Sequence, residues 1–362
     1  MKLLPYPLDV FLNYPMRFYV KSFFVAAPKA DMTLILGKKR TSLLLGERKS
    51  GQLLFADDVS DLHGAPNYEN TLAATFEPSN FHVNDIYRKT VAIPYGMENG
   101  GQVAVIFETT KLYDDISETK NGPKNIGQMI KLLKSEDVAK MIPQWNGTEP
   151  YEWTIFTTGV EPLRMSDPPD GHGRLMLSGI PESQSEVFTE WANTSGLILT
   201  AAVPLPIAVL DWMMKFVCAD EVNYCLIVPG LDRYRAYRIN NGEVEDYIYV
   251  QTQEMAEGEL CQLLENWTID HPESTATTNY VWLTESVDIK RALAGLSTSG
   301  LRNIVQIDAK LMKKRYAVEG APSPEASLCD WIGWRSNTGH PAPGAIPQPL
   351  LIGDKAGKKG GK

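Results

Sequence analysis

The sequence predicts an α/β protein of two lobes, each a mixed sheet built on a β-meander and continued by crossover helices. Three observations carry that expectation. Between Gly173 and Asp308, apolar strand-like runs alternate with helix-like segments around a central hairpin. A second meander opens the N-terminal half between Asp31 and Val59. Between them lies a connection rich in Pro, Gly and Asp, Asp167 to Gly173, of the composition that joins domains. The expected division is a first lobe at residues 1–170 with its N-terminal extension, a second lobe at 171–316, and a tail at 317–362. In that tail Pro and Gly dominate and periodicity ends, so most of it is expected to be disordered or laid over another surface.

The elements follow in chain order. Strands flank a turn at Gly37 to Arg40, continue through TSLLLGE, turn again at Lys49 to Gly51 and end in QLLFADD. RKTVAIPYG and GQVAVIFETT read as a further strand pair, split by ENGG. In NIGQMIKLLKSEDVAKMI, apolar residues at Ile126, Met129, Ile130, Leu133, Val138, Met141 and Ile142 keep mostly helical spacing, and Pro143 closes the helix. YEWTIFTTG is a strand. In the second half come GRLMLSGIP, the polar helix-like ESQSEVFTEWANTSG and the apolar run LILTAAVPLPIAVLDWMM. YCLIVPGLDRYRAYRI and NNGEVEDYIYV form a strand pair with a two-residue connection. The helix EMAEGELCQLLENWTI, the short strand and turn YVWLTES, the helix DIKRALAGLS and the strand NIVQID complete the half.

Composition narrows the function. With 362 residues, 43% hydrophobic and 22% charged, the chain is long enough for two cores. A net charge of -9 argues against duplex nucleic acid, whose binding needs clustered Lys and Arg. The cysteines, Cys218, Cys225, Cys261 and Cys329, make no CxxC pair, and no two histidines are spaced as metal ligands. Asp57, Asp58, Asp61 and His63 read as a strand end with turn formers. Ser178, Ser183 and Ser185 lack a GxSxG elbow. Pro5, Pro7 and Pro15 break any signal-peptide core, and Pro204 and Pro206 interrupt the longest apolar run, so a soluble, unexported protein is expected.

Two meanders with tight, phosphate-loop-like turns, at Leu34 to Leu45 and Cys225 to Tyr249, resemble the actin-like (ASKHA, RNase H-like) two-lobed fold. The helix ending in IP before YEWTIF, and then LMLSGIPESQSEVFTEWANTSGLILTAA with Pro181 and Gly196, is similar to the PilM-type proteins of type IV pili and the GspL-type proteins of type II secretion. Active members of the superfamily carry Asp-x-Gly at each hairpin turn, the carboxylates holding metal and water while backbone amides cradle phosphate. Here the glycines remain as Gly37 and Gly230, but Ile35 and Val228 stand where the aspartates belong. The adenosine turn reads Thr284, Glu285, Ser286 without its paired glycines. The resemblance thus implies vestigial nucleotide loops at Gly37, Lys38, Gly230, Asp232, Thr284, Glu285 and Ser286, no catalytic residue, no metal and no cofactor.

It also implies a non-catalytic scaffold, cytoplasmic and peripheral to a bacterial inner membrane, whose partners are a bitopic assembly protein and the assembly ATPase. Trp331 and Trp334, isolated in the Pro/Gly-rich tail, and Tyr234 and Tyr237, on the second hairpin, are the candidate partner contacts. Two tryptophans left in water cost about 25 cal/mol per Å² of apolar area, so the tail island is expected to dock. Lys355, Lys358, Lys359 and Lys362 offer a weak contact to an anionic leaflet. The alternatives are a nucleotide-dependent kinase or ATPase of the same superfamily, and a structural α/β protein unrelated to secretion.

Overall fold

The computed structural model describes residues 30–36, 41–47, 53–58, 101–109, 111–118, 123–135, 149–169, 172–186, 197–230, 233–251, 278–282, 304–316 and 324–337, with 138, 142, 147 and 188. Two five-stranded sheets share one strand order. The first is β3-β2-β1-β4-β8, with β1 (Ala30–Leu36), β2 (Thr41–Glu47), β3 (Leu53–Asp58), β4 (Gly101–Phe107) and β8 (Leu197–Pro204). The second is β11-β10-β9-β12-β13, with β9 (Asn223–Pro229), β10 (Arg233–Asn240), β11 (Glu243–Gln251), β12 (Thr278–Val281) and β13 (Ile304–Gln306). In each, an antiparallel meander of three strands continues into two parallel strands. Parallel neighbours need crossover connections, which is why long stretches of chain separate them.

Between β4 and β8 a third, antiparallel sheet is inserted, order β5-β7-β6, from β5 (Tyr113–Glu118), β6 (Tyr151–Thr157) and β7 (Arg174–Pro181). Helix α1 (Ile126–Leu133) covers it and buries Ile126, Met129 and Leu133 against Trp153, Ile155, Leu175 and Leu177. Asn125 caps the helix by accepting from the Gln128 amide at 2.9 Å. The helix is shorter than its periodicity suggests. It stops at Lys134, whose amide bonds Ile130, and the next described apolar residue, Val138, lies in a separate 3₁₀ turn.

The apolar run beginning at Leu197 holds two elements. β8 ends at Pro204, and α2 (Leu205–Trp212) begins there with Pro206 in its first turn, where a missing N–H costs nothing. Every residue of α2 is buried, and it continues as a π-helical turn, Met213–Val217, closed by the Cys218 amide on the Met213 carbonyl at 2.7 Å. This segment carries the chain from the first five-stranded sheet to the second. One apolar core runs through both sheets, from Ile35, Ala104 and Ile106 through α2 to Leu226, Val228 and Tyr237.

Three expectations are corrected. The lobe boundary does not fall at Asp167 to Gly173, because that stretch joins β6 to β7 within the inserted sheet and β8 still belongs to the first sheet. The change of sheet comes at α2: a strand assigned by composition to one half can complete the sheet of the other when its buried edge is there. GQVAVIFETT supplies β4, which lies parallel between β1 and β8, and its expected partner at 88–96 is outside the described residues. The tail is not uniformly irregular, for α4 (Pro324–Asn337) follows α3 (Ala309–Tyr316) and packs on β1, β2, β4, β8 and α2. The helices expected at Glu254–Ile269 and Asp288–Ser297 lie outside the described residues.

Candidate functional site

The turn between β9 and β10 is the one described turn of those expected to be phosphate-loop-like. β9 ends in Val228-Pro229, Gly230 follows, and the Gly230 amide closes the turn on the Arg233 carbonyl at 2.8 Å. A Cβ on Gly230 would stand 3.1 Å from that carbonyl and 3.4 Å from Nη1 of Arg235, so a side chain there is crowded. Val228 is fully buried and faces Arg235 directly across the ladder. In the first sheet Ile35 holds the corresponding place, one residue before the end of β1, and is buried in the same apolar core. Neither position offers a ligand for a cation. Gly37, Lys38, Asp232, Thr284, Glu285 and Ser286 lie outside the described residues.

Arg235 is the polar centre of the region. It is 1% exposed, yet its Nε lies 3.1 Å from both carboxylate oxygens of Asp114, and its Nη2 reaches the Leu112 carbonyl at 3.3 Å. Asp114 is buried in β5 of the inserted sheet. The Tyr237 hydroxyl donates to Asp114 Oδ2 at 3.1 Å, and the Tyr247 hydroxyl donates to the Asp114 backbone carbonyl. Burial, reinforced by the Asp114 charge, drives both phenol pKa values far above the ordinary tyrosine value, so both stay protonated donors. Because side chains alternate along a strand, Arg233, Arg235 and Tyr237 share one face of β10 and meet Tyr249 and Tyr247 of β11 there. Tyr237 stacks on Tyr247 at 5.9 Å, Tyr247 on Tyr249 at 6.2 Å, and the Arg233 guanidinium lies 5.1 Å over the Tyr249 ring.

The contact extends to the tip of the hairpin. Asn241 and Gly242 both have positive φ, 53° and 74°, the two-residue turn expected from Asn-Gly. Beside it, the Val244 amide donates to the Thr158 carbonyl at 2.8 Å, and Thr158 Oγ1 to Glu243 at 3.3 Å. Arg174 Nη1 donates to the Glu245 carbonyl at 2.6 Å. The turn that receives the hairpin includes buried Val160 at φ 58°, a conformation a β-branched residue adopts only when its surroundings impose it.

The expected partner contacts are distributed differently. Tyr237 is fully buried, which withdraws it from any partner; Tyr234, on the opposite face of β10, is half-buried. Trp331 is 9% exposed within α4, donates its Nε1 to Oδ2 of fully buried Asp211 at 2.7 Å and stacks on Phe216 at 5.9 Å. Trp331 therefore docks on this chain and is no partner anchor. Trp334 lies in the same helix. Asp114, Arg235 and Asp211 escape sequence reading because their partners are 120 or more residues away. The signal available was three arginines, Arg233, Arg235 and Arg238, within the strand-like run RYRAYRI.

No protein family matches the sequence, and no curated protein matches it. Solved structures do. The PilM–PilN type IV pilus biogenesis complex matches with a TM-score of 0.55 at 10% identity, over 86% of this chain and 99% of that one. A Bacteroides thetaiotaomicron protein with an actin-like ATPase fold matches at 0.45 and 9% identity, over 83% and 100%. The cytoplasmic domain of EpsL, an inner-membrane component of the type II secretion system of Vibrio cholerae, matches at 0.38 and 10%, over 76% and 97%. At these identities the likeness is one of fold alone. The chain has the actin-like fold, with two mixed sheets of the same order and a PilM-like arrangement overall. Among the described residues no helix is long and apolar enough to cross a membrane.

Proposed function

We propose that this chain is a non-catalytic actin-like scaffold of a bacterial type IV pilus or type II secretion platform, working at the cytoplasmic face of the inner membrane. Its partners in this reading are a bitopic membrane protein and the assembly ATPase. One observation carries the proposal. Ile35 and Val228, at matching places in the two meanders, are apolar and buried, while nucleotide chemistry in this fold needs carboxylates there to hold metal and water. An apolar side chain cannot ligate magnesium, and the residue facing Val228 is a cation already engaged by Asp114. The partner class is suggested by the fold likeness to PilM, which was solved in complex with PilN.

Titration calorimetry with ATP and magnesium tests the first half, and no binding in the micromolar range is expected. Micromolar or tighter binding, with phosphate release abolished by substituting Gly37 or Gly230, would establish the nucleotide-dependent enzyme instead. Co-purification from the native cell tests the second half: a single-span membrane protein and an assembly ATPase should be recovered together, and recovery of neither rejects the assignment.

A further inference from the structure

We infer that the buried Asp114–Arg235 pair is a built-in strap, holding the two halves of the molecule together at the place where this fold class would otherwise use a bound ligand. In open α/β sheets ligands occupy the crevice at the carboxyl ends of the strands. Arg235 stands at that end of the second sheet, beside Gly230 and across from Val228. Leu112 and Asp114 follow β4 of the first sheet in the chain, Asp114 at the start of the inserted sheet in β5. The guanidinium therefore joins the second sheet to the sheet inserted in the first, through groups belonging to the chain itself. Thr158 and Arg174 bond Val244 and Glu245 along the same seam, and Lys215 meets Glu161 at 2.6 Å near its solvent side.

The energetic reasoning turns on charge, not on attraction alone. Closing the seam takes both charges out of water, a desolvation cost that their mutual contact roughly offsets. The pair adds little net drive. It sets register, because the closed state is acceptable only while both partners are present and aligned. The drive comes from the stacked tyrosines and apolar groups around it. Removing one charge strands the other on closure, so the open state, where the remaining ion is hydrated, gains. The lobes are thereby held closed without nucleotide, and a partner meets a preformed surface.

The test is the distance between spin labels at Lys131→Cys, on α1 of the inserted unit, and Lys310→Cys, on α3, both exposed positions, in a Cys261→Ser background. The otherwise unaltered chain should give one narrow distance, unchanged by ATP with magnesium. Asp114→Asn should raise the opening equilibrium constant by at least about a hundredfold and add a longer, broader population. Asp114→Leu combined with Arg235→Met, which strands no charge, should restore the narrow distance. If Asp114→Asn fails to fold, Tyr237→Phe withdraws one donor from Asp114 and should show the same broadening at smaller size. A narrow distance in folded Asp114→Asn or, in its place, Tyr237→Phe overturns the strap, as does a double variant as open as the single one, or a nucleotide-dependent shift in the parent.

Discussion

The first five-stranded sheet is closed by α4, which lies across β1, β2, β4 and β8 and brings Leu328, Trp331 and Ile332 into the core. Its second counterpart, of identical strand order, turns the face of its β10–β11 hairpin toward the inserted sheet and meets it through Arg235, Tyr237, Tyr247 and Asp114. One half is thus covered by apolar packing with two buried indole hydrogen bonds among the described residues, Trp331 to Asp211 and Trp212 to Ser327, the other by a buried ionic network. Apolar packing tolerates small shifts at modest cost, because dispersion and burial are not directional. An ion pair without water is intolerant of misalignment. The same topology therefore yields a cohesive end and a register-setting end.

Four measurements break or sharpen that contrast. The largest effect is expected from Trp331→Ala, which removes an indole from between Asp211 and Phe216 and leaves a fully buried carboxylate without that donor. Equilibrium denaturation should show a loss of about 4 kcal/mol. A loss under about 1 kcal/mol would mean that α4 contributes little to the first sheet. Asp114→Asn comes next, at about 3 kcal/mol, since Arg235 keeps its charge in a buried place. If its cost instead matched that of an exposed pair, about 0–1 kcal/mol, the seam would be wet and the contrast would collapse.

Gly179→Ala probes the inserted sheet between the two. A Cβ there would stand 2.6 Å from Cε3 of Trp153, a ring that is itself buried and held near Tyr113 and Tyr151. Overpacking should cost about 2 kcal/mol in denaturation, and a neutral result would show that Trp153 can move aside. The smallest expected effect is none at all. Burial pushes the Cys225 thiol up to about 12, and Cys218 and Cys329 are buried with it. All three should remain unmodified by a thiol reagent at pH 8 in native protein, read by peptide mass mapping. Labelling of Cys329 ahead of the others would show α4 leaving the first sheet before the second opens.

Parts of this arrangement were readable beforehand for reasons of range. Asn241-Gly242 demands positive φ at two adjacent residues, so the tip of the second hairpin is encoded within the turn itself. Pro204 and Pro206 mark where β8 gives way to α2, since proline fits a helix start and breaks a strand. The isolated tryptophans had to dock, and Trp331 does. The lobe boundary misled because Asp167 to Gly173 has the turn chemistry of a linker, and turn chemistry does not say whether the strands on either side pair with each other.

By itself the sequence determined the two meanders, the Asn241-Gly242 turn, the apolar residues at Ile35 and Val228 and the presence of an orphan aromatic island. Each follows from local stereochemistry or from the chemistry a side chain lacks. Only the tertiary structure decided that β8 completes the first sheet, that α4 returns to cover it, and that Arg235 finds Asp114 on the inserted sheet. Those choices depend on which surfaces bury one another across long stretches of chain, and pairwise burial leaves no mark in any one segment.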